Sequence, residues 1–131
     1  MKIAALIVRV LMGLGFLVFG LNILFPFLPQ PPMPEGTPVA MFMAVMVPSH
    51  YMMVVGFFQA LGGLLVLLGR TAPLGLCILA PILVNILAFH IFLDNGANLL
   101  PGLVFSVFEI FLIYAYREHF RGIFSFNAKP A

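Results

Sequence analysis

Four long, mainly apolar stretches decide what this chain can become. They run over roughly Ile3–Phe25, Pro48–Gly69, Pro73–Leu93 and Leu99–Tyr116. Each is close to the roughly 20 residues that an α-helix needs to cross a hydrocarbon core about 30 Å thick. Strict alternation of apolar and polar residues, the mark of a membrane β-barrel, is absent. With 63% of residues hydrophobic and 8% charged, the solvent of these stretches is expected to be lipid. The expected fold is all-α: an integral membrane four-helix bundle built as a single domain over residues 1–131.

Charge placement gives the expected orientation. Lys2 and Arg9 belong to the first stretch, Arg70 to the turn after the second, and Arg117, Arg121 and Lys129 to the tail after the fourth, residues 117–131. Glu35 and Asp94 fall in the alternate connections. By the positive-inside rule both termini are expected to be cytoplasmic, in a bacterial-type inner (plasma) membrane. Basic residues divided in this way make no nucleic-acid surface. Arg9 interrupts the apolar run too early for a signal peptide, and no small-residue cleavage site precedes Asn22, so the first helix is expected to be retained. The lone Cys77 excludes an internal disulfide and a thiolate metal cluster.

The outer loop, residues 26–47, opens with six prolines between Pro26 and Pro38 and cannot be helical there. Thr37-Pro38 then reads as a helix start, a threonine cap with proline at the first position. The Val39–Val47 segment is too short to span and is expected to be a short helix at the outer interface. Its methionines, Met41, Met43 and Met46, suit either lipid contact or an adaptable lid, with lipid preferred. Gly13, Gly15 and Gly20 in the first helix and Gly56, Ala60 and Gly63 in the second have the small-residue character of tight helix packing in lipid. Gly-lined faces of this kind allow a homo-oligomer.

Function is sought in the polar residues that interrupt the apolar runs, because these are costly in lipid and tend to face a bundle interior or cavity. Helical rise places Gln59 about 13 Å below the outer end of its helix, and Asn85 and Glu109 about 12 Å below theirs. His50, His90 and Asn22 lie nearer the outer surface. The picture is a polar floor and a polar rim. Asn85 and His90 are five residues apart, about 140° on α-helical geometry, so the two share a face only if the winding near Pro81 changes. Pro81 is itself expected to free the Cys77 carbonyl and bend the helix. Glu109 is expected to be protonated or hydrogen-bonded to Asn85 or Gln59. Two histidines on adjacent helices, His50 and His90, are what a haem would need, but nothing else in the chain supports haem, and no metal-ligand cluster, phosphate loop or Ser–His–Asp pattern is present.

The sequence resembles the DoxX-like family of small four-helix membrane proteins over nearly its whole length. The resemblance rests on Gly13-Leu14-Gly15-Phe16-Leu17-Val18-Phe19-Gly20-Leu21-Asn22, on Gly56-Phe57-Phe58-Gln59-Ala60-Leu61-Gly62-Gly63 with Leu67-Leu68-Gly69-Arg70, on Ala80-Pro81-Ile82-Leu83-Val84-Asn85-Ile86-Leu87-Ala88-Phe89-His90, and on Glu109 and Tyr116-Arg117. Some members of that family resemble a subunit of a thiosulfate:quinone oxidoreductase, and others are linked to membrane redox complexes. The resemblance together with the two polar layers gives the first reading: a redox-associated subunit that binds a quinone or similar lipidic molecule in an outward-facing pocket, its polar head meeting Gln59, Asn85, His90 and Glu109, with His50 and Asn22 at the rim. No flavin, haem or disulfide motif is present, so electrons would need a redox partner protein. Related sequences often carry Glu where this chain has Gln59. The alternative is a non-catalytic scaffold or assembly factor whose polar layer only fixes packing. A transport path ranks below both, because the inner half of every helix is apolar.

Overall fold

A computed structural model describes all 131 residues. It is all-helical: α1 spans Lys2–Leu24, α2 Pro38–Met46, α3 Tyr51–Leu68, α4 Ala72–Ala88 and α5 Leu99–Ala115. A π-helical turn, Phe89–Leu93, extends α4, and a 3-10 turn, Arg117–Phe120, follows α5. Three helical stretches are long and apolar enough to cross a membrane: Lys2–Leu24, Tyr51–Leu68 and Ala72–Leu93. Leu99–Ala115 is an apolar helix of 17 residues. The ends agree with the apolar runs to within three residues, since both are set by where turn-forming and polar residues begin.

The long helices pack as a ring in the order α1, α3, α4, α5, with α5 closing back onto α1. Each is antiparallel to the next. Gly13 faces Gly63 and Leu67 while Gly20 faces Ala60 and Gly56; Gly75 lies against Gly62 and Val66; Gly102 lies against Ile86 and Leu87. The α1–α3 contact is the most extensive and is made backbone to backbone. A Cβ at Gly63 would sit 2.5 Å from the Leu17 nitrogen and 2.8 Å from the Gly13 oxygen. In lipid, where apolar side chains gain nothing by leaving one apolar phase for another, such close approach is what holds helices together. A compact cluster of Met12, Phe16, Val66, Leu76, Leu79, Leu83, Leu112 and Phe120 fills the remaining centre. Around it the outer surface is a continuous belt of exposed apolar side chains, among them Ile7, Leu11, Leu14, Phe57, Leu74, Val84, Val107 and Ile110. A water-soluble monomer does not carry a belt of that extent.

The ring order brings the start of α1, the end of α3, the start of α4 and the end of α5 to one end of the bundle, and with them Lys2, Arg9, Arg70 and Arg117. Arg9 does more than mark that end. Its Nη1 donates to the carbonyls of Val66 (3.2 Å) and Leu67 at the end of α3. A cation there satisfies carbonyls left open by helix termination and opposes the negative end of the helix dipole. Thr71 Oγ1 donates to the Leu65 carbonyl at 2.7 Å and finishes the same cap. After α5 the first turn of the tail folds inward, with Phe120 buried in the central cluster.

Candidate binding groove

At the opposite end the helices part to leave an open groove of about 950 Å³, lined mainly by apolar side chains of all five helices. Ligand pockets commonly measure about 300–1,000 Å³, mostly apolar with a few placed polar groups. The polar residues on this groove are Gln59 of α3, Asn85 and His90 of the α4 stretch, and Asn98 at the start of α5, with the phenol-bearing Tyr51 also on its lining. Phe16 and Phe105, whose rings meet at 5.1 Å, line it from α1 and α5.

The short helix α2 forms as the sequence indicates. Thr37 Oγ1 accepts from the Ala40 N–H at 3.2 Å, and Pro38 occupies the first turn. Its methionines divide: Met41 is exposed, whereas Met43 and Met46 are half-buried and line the groove. The expectation that this segment chiefly meets lipid is therefore replaced by a partial roof. Phe42 fixes the roof by an edge contact with Phe89 at 5.3 Å between ring centres.

Asn85 and His90 line the same groove, which α-helical geometry alone does not allow for a narrow stripe. α4 runs through Pro81 as one helix, and the π-turn begins only at Phe89, where the Asp94 N–H reaches back five residues to the Phe89 carbonyl at 3.2 Å. Only the last step from Asn85 to His90 falls in that turn, so the two side chains share the groove because it is broad, not because they lie on one stripe. Asn85 is exposed to the groove rather than buried in the bundle, and its Nδ2 donates to the Pro81 carbonyl at 2.8 Å. Gln59 is buried, 7% exposed, and makes no side-chain hydrogen bond within the protein.

The other three expected residues lie elsewhere. Asn22 is buried, but its Oδ1 accepts from the Phe27 and Leu28 N–H groups, each at 2.9 Å, and so ends α1 and starts the proline-rich loop. His50 is exposed just before α3 in a left-handed conformation (φ 64°), off the groove. The His50/His90 pair is thus not gathered on one pocket. Glu109 is 5% exposed and does not line the groove, and neither of its carboxyl oxygens has a hydrogen-bond partner. The expected bond to Asn85 or Gln59 is not made.

Asp94 is a residue the sequence reading left out of the site. Its Oδ2 lies 3.2 Å from His90 Nδ1. The available signal was the four-residue spacing of an acid after a histidine, which on a helix puts two side chains on one face.

No protein-family profile and no solved structure matches the chain. It is similar to a Bacillus subtilis protein described as "Uncharacterized protein YwoB", with 38% identity over 77 residues, covering 58% of this chain and 49% of that protein. The chain thus spans about half the length of the curated relative it matches.

Proposed function

We propose that this is a DoxX-like, four-span protein of a bacterial-type inner membrane, with both termini cytoplasmic, that binds a quinone or similar lipidic molecule in the groove as part of a redox-associated assembly. The observation that carries the reading is the groove itself: a largely apolar space of about 950 Å³, open at the end of the bundle away from the basic residues, with Gln59, Asn85, His90 and Asn98 on its walls. An apolar body would lie against Phe16, Phe58 and Phe105, and a polar head would meet the amides and the imidazole. Such a ligand explains why Gln59, with no protein partner, sits on a wall that packing alone would fill with leucine. Electrons would be exchanged with a partner protein.

Native mass spectrometry of the full chain released from membrane nanodiscs tests this. A stoichiometric quinone or lipid is expected, with occupancy reduced about tenfold in Gln59→Leu, roughly the value of one or two lost hydrogen bonds. A bundle that is always empty removes the ligand reading.

A scaffold or assembly factor is the second reading, and one observation favours it. Asn22 and Asn85 already satisfy neighbouring backbone groups, so two of the polar residues have local structural roles. In that case Gln59→Leu and Asn85→Leu leave association with partner proteins intact.

Orientation has its own test. In a Cys77→Ser background, Asn95→Cys is expected to react with a membrane-impermeant maleimide added to intact spheroplasts, and Arg70→Cys only after permeabilisation. The reverse pattern overturns the assignment of both termini to the cytoplasm.

A further inference from the structure

His90 sits in the π-turn with its ring tied on one side only. Nδ1 lies 3.2 Å from Asp94 Oδ2, and Nε2 has no protein partner. A carboxylate oxygen can only accept, so this bond requires the proton on Nδ1. In the neutral ring Nε2 is then a bare acceptor, because the bond made by one ring nitrogen dictates the state of the other. The pair is held by its own backbone. The Gly96 N–H donates to the His90 carbonyl at 2.6 Å, and the Ala97 N–H donates to the Asp94 carbonyl at 2.9 Å. Phe89 packs edge-on to the imidazole with ring centres 5.1 Å apart, and the ring remains 22% exposed where it lines the groove. Asn85 beside it favours neither sense, because one Nδ2 hydrogen is spent on the Pro81 carbonyl and both the second hydrogen and Oδ1 remain. The bare Nε2 of His90 is an acceptor, and an acceptor selects a ligand that donates.

We propose, building on the groove reading above, that the His90–Asp94 pair selects a hydroxyl-bearing head group, a phenol or the hydroquinone form of a quinone, by accepting its O–H hydrogen bond at Nε2. His90 is the contact residue. Asp94 is a positioning residue that fixes the tautomer. Recognition consists of that hydrogen bond alone, with no electron transferred and no covalent bond to carbon altered. A ring with the proton on Nε2 would instead donate to a carbonyl and select the oxidised quinone, so Asp94 decides which redox form is held.

The test uses the full chain in nanodiscs under argon with three probes that share one ring and one tail: decylhydroquinone, its dimethyl ether and decylbenzoquinone. Hydroquinone is expected to bind up to about tenfold more tightly than the ether, as the loss of one hydrogen bond implies. In His90→Phe the ratio should fall to about one with ether affinity unchanged, which also shows that the groove is intact. Asp94→Ala should lower the ratio, and Asp94→Asn, whose Oδ1 can still accept from Nδ1, should restore most of it. Histidine ¹⁵N spectra should show a Nδ1–H tautomer in the wild type that is lost in Asp94→Ala. If the three probes bind equally, or benzoquinone binds best, this selection is overturned while the groove reading stands. If none binds, both are overturned.

Discussion

Gly63→Val is expected to abolish the folded bundle, with no monodisperse protein recovered in detergent or nanodiscs. The added atoms would enter the α1 backbone itself: the first carbon alone would lie 2.5 Å from the Leu17 nitrogen, 2.8 Å from the Gly13 oxygen and 2.9 Å from the Phe16 carbonyl carbon. Overpacking a core costs about 1–3 kcal/mol when side chains can turn aside. Here no side chain can yield, so the two helices must part along their whole contact, and that contact is the largest in the molecule. Loss above about 3 kcal/mol is expected, the upper end of the overpacking range. Two companion variants locate the cause. Gly62→Ala has side-chain atoms of Leu79 and Ile78 as its nearest neighbours rather than backbone, and should cost less, about 1–3 kcal/mol. Gly122→Ala meets nothing within 4 Å and should leave the unfolding temperature unchanged. Equal stability of all three would mean that α1 and α3 do not pack through these glycines.

The sequence discloses depth much better than direction. Helix ends, the Thr37-Pro38 start of α2 and the small-residue faces of α1 and α3 are readable because each depends on a local preference or on the length of an apolar run. Depth follows from a fixed rise per residue, which is how Gln59, Asn85 and Glu109 come to be grouped. Direction around the axis depends on which helices surround the residue. Gln59 and Asn85 reach one groove, whereas Glu109, at a similar depth, does not. The rim divides for a related reason. Asn22 is claimed by the amides of Phe27 and Leu28, whose position depends on how the proline-rich loop leaves α1. His90 joins Asn85 because the groove is broad enough to take in more than one stripe of α4, which only the packed bundle shows. Arg9 reads as a flanking charge, yet its carbonyl partners lie more than fifty residues away in the chain, a pairing visible only once α1 and α3 are packed.

Glu109→Met is expected to make the protein more stable. Both carboxyl oxygens are buried and neither has a partner, so the substitution removes no hydrogen bond and fills a similar length with apolar atoms. Burying an unsatisfied polar group costs about 1–3 kcal/mol, and an apolar replacement of like shape regains much of it. The unfolding midpoint in nanodiscs should therefore rise, with Glu109→Gln gaining less because it still buries an amide. Gln59→Met, facing the groove rather than the packed interior, should change stability little. Because Glu109 lies off the groove, hydroquinone binding should survive Glu109→Met, which separates this carboxyl from the Gln59–Asn85–His90 wall. An ionisable side chain kept inside an apolar bundle at a cost in stability is the trade expected of a group retained for function. Should Glu109→Met prove more stable yet fail to complement a deletion strain, the carboxyl acts at a second place in the molecule, independent of the groove. A less stable Glu109→Met would instead mean that the carboxyl is paired in the membrane after all, with a group that this chain alone does not supply.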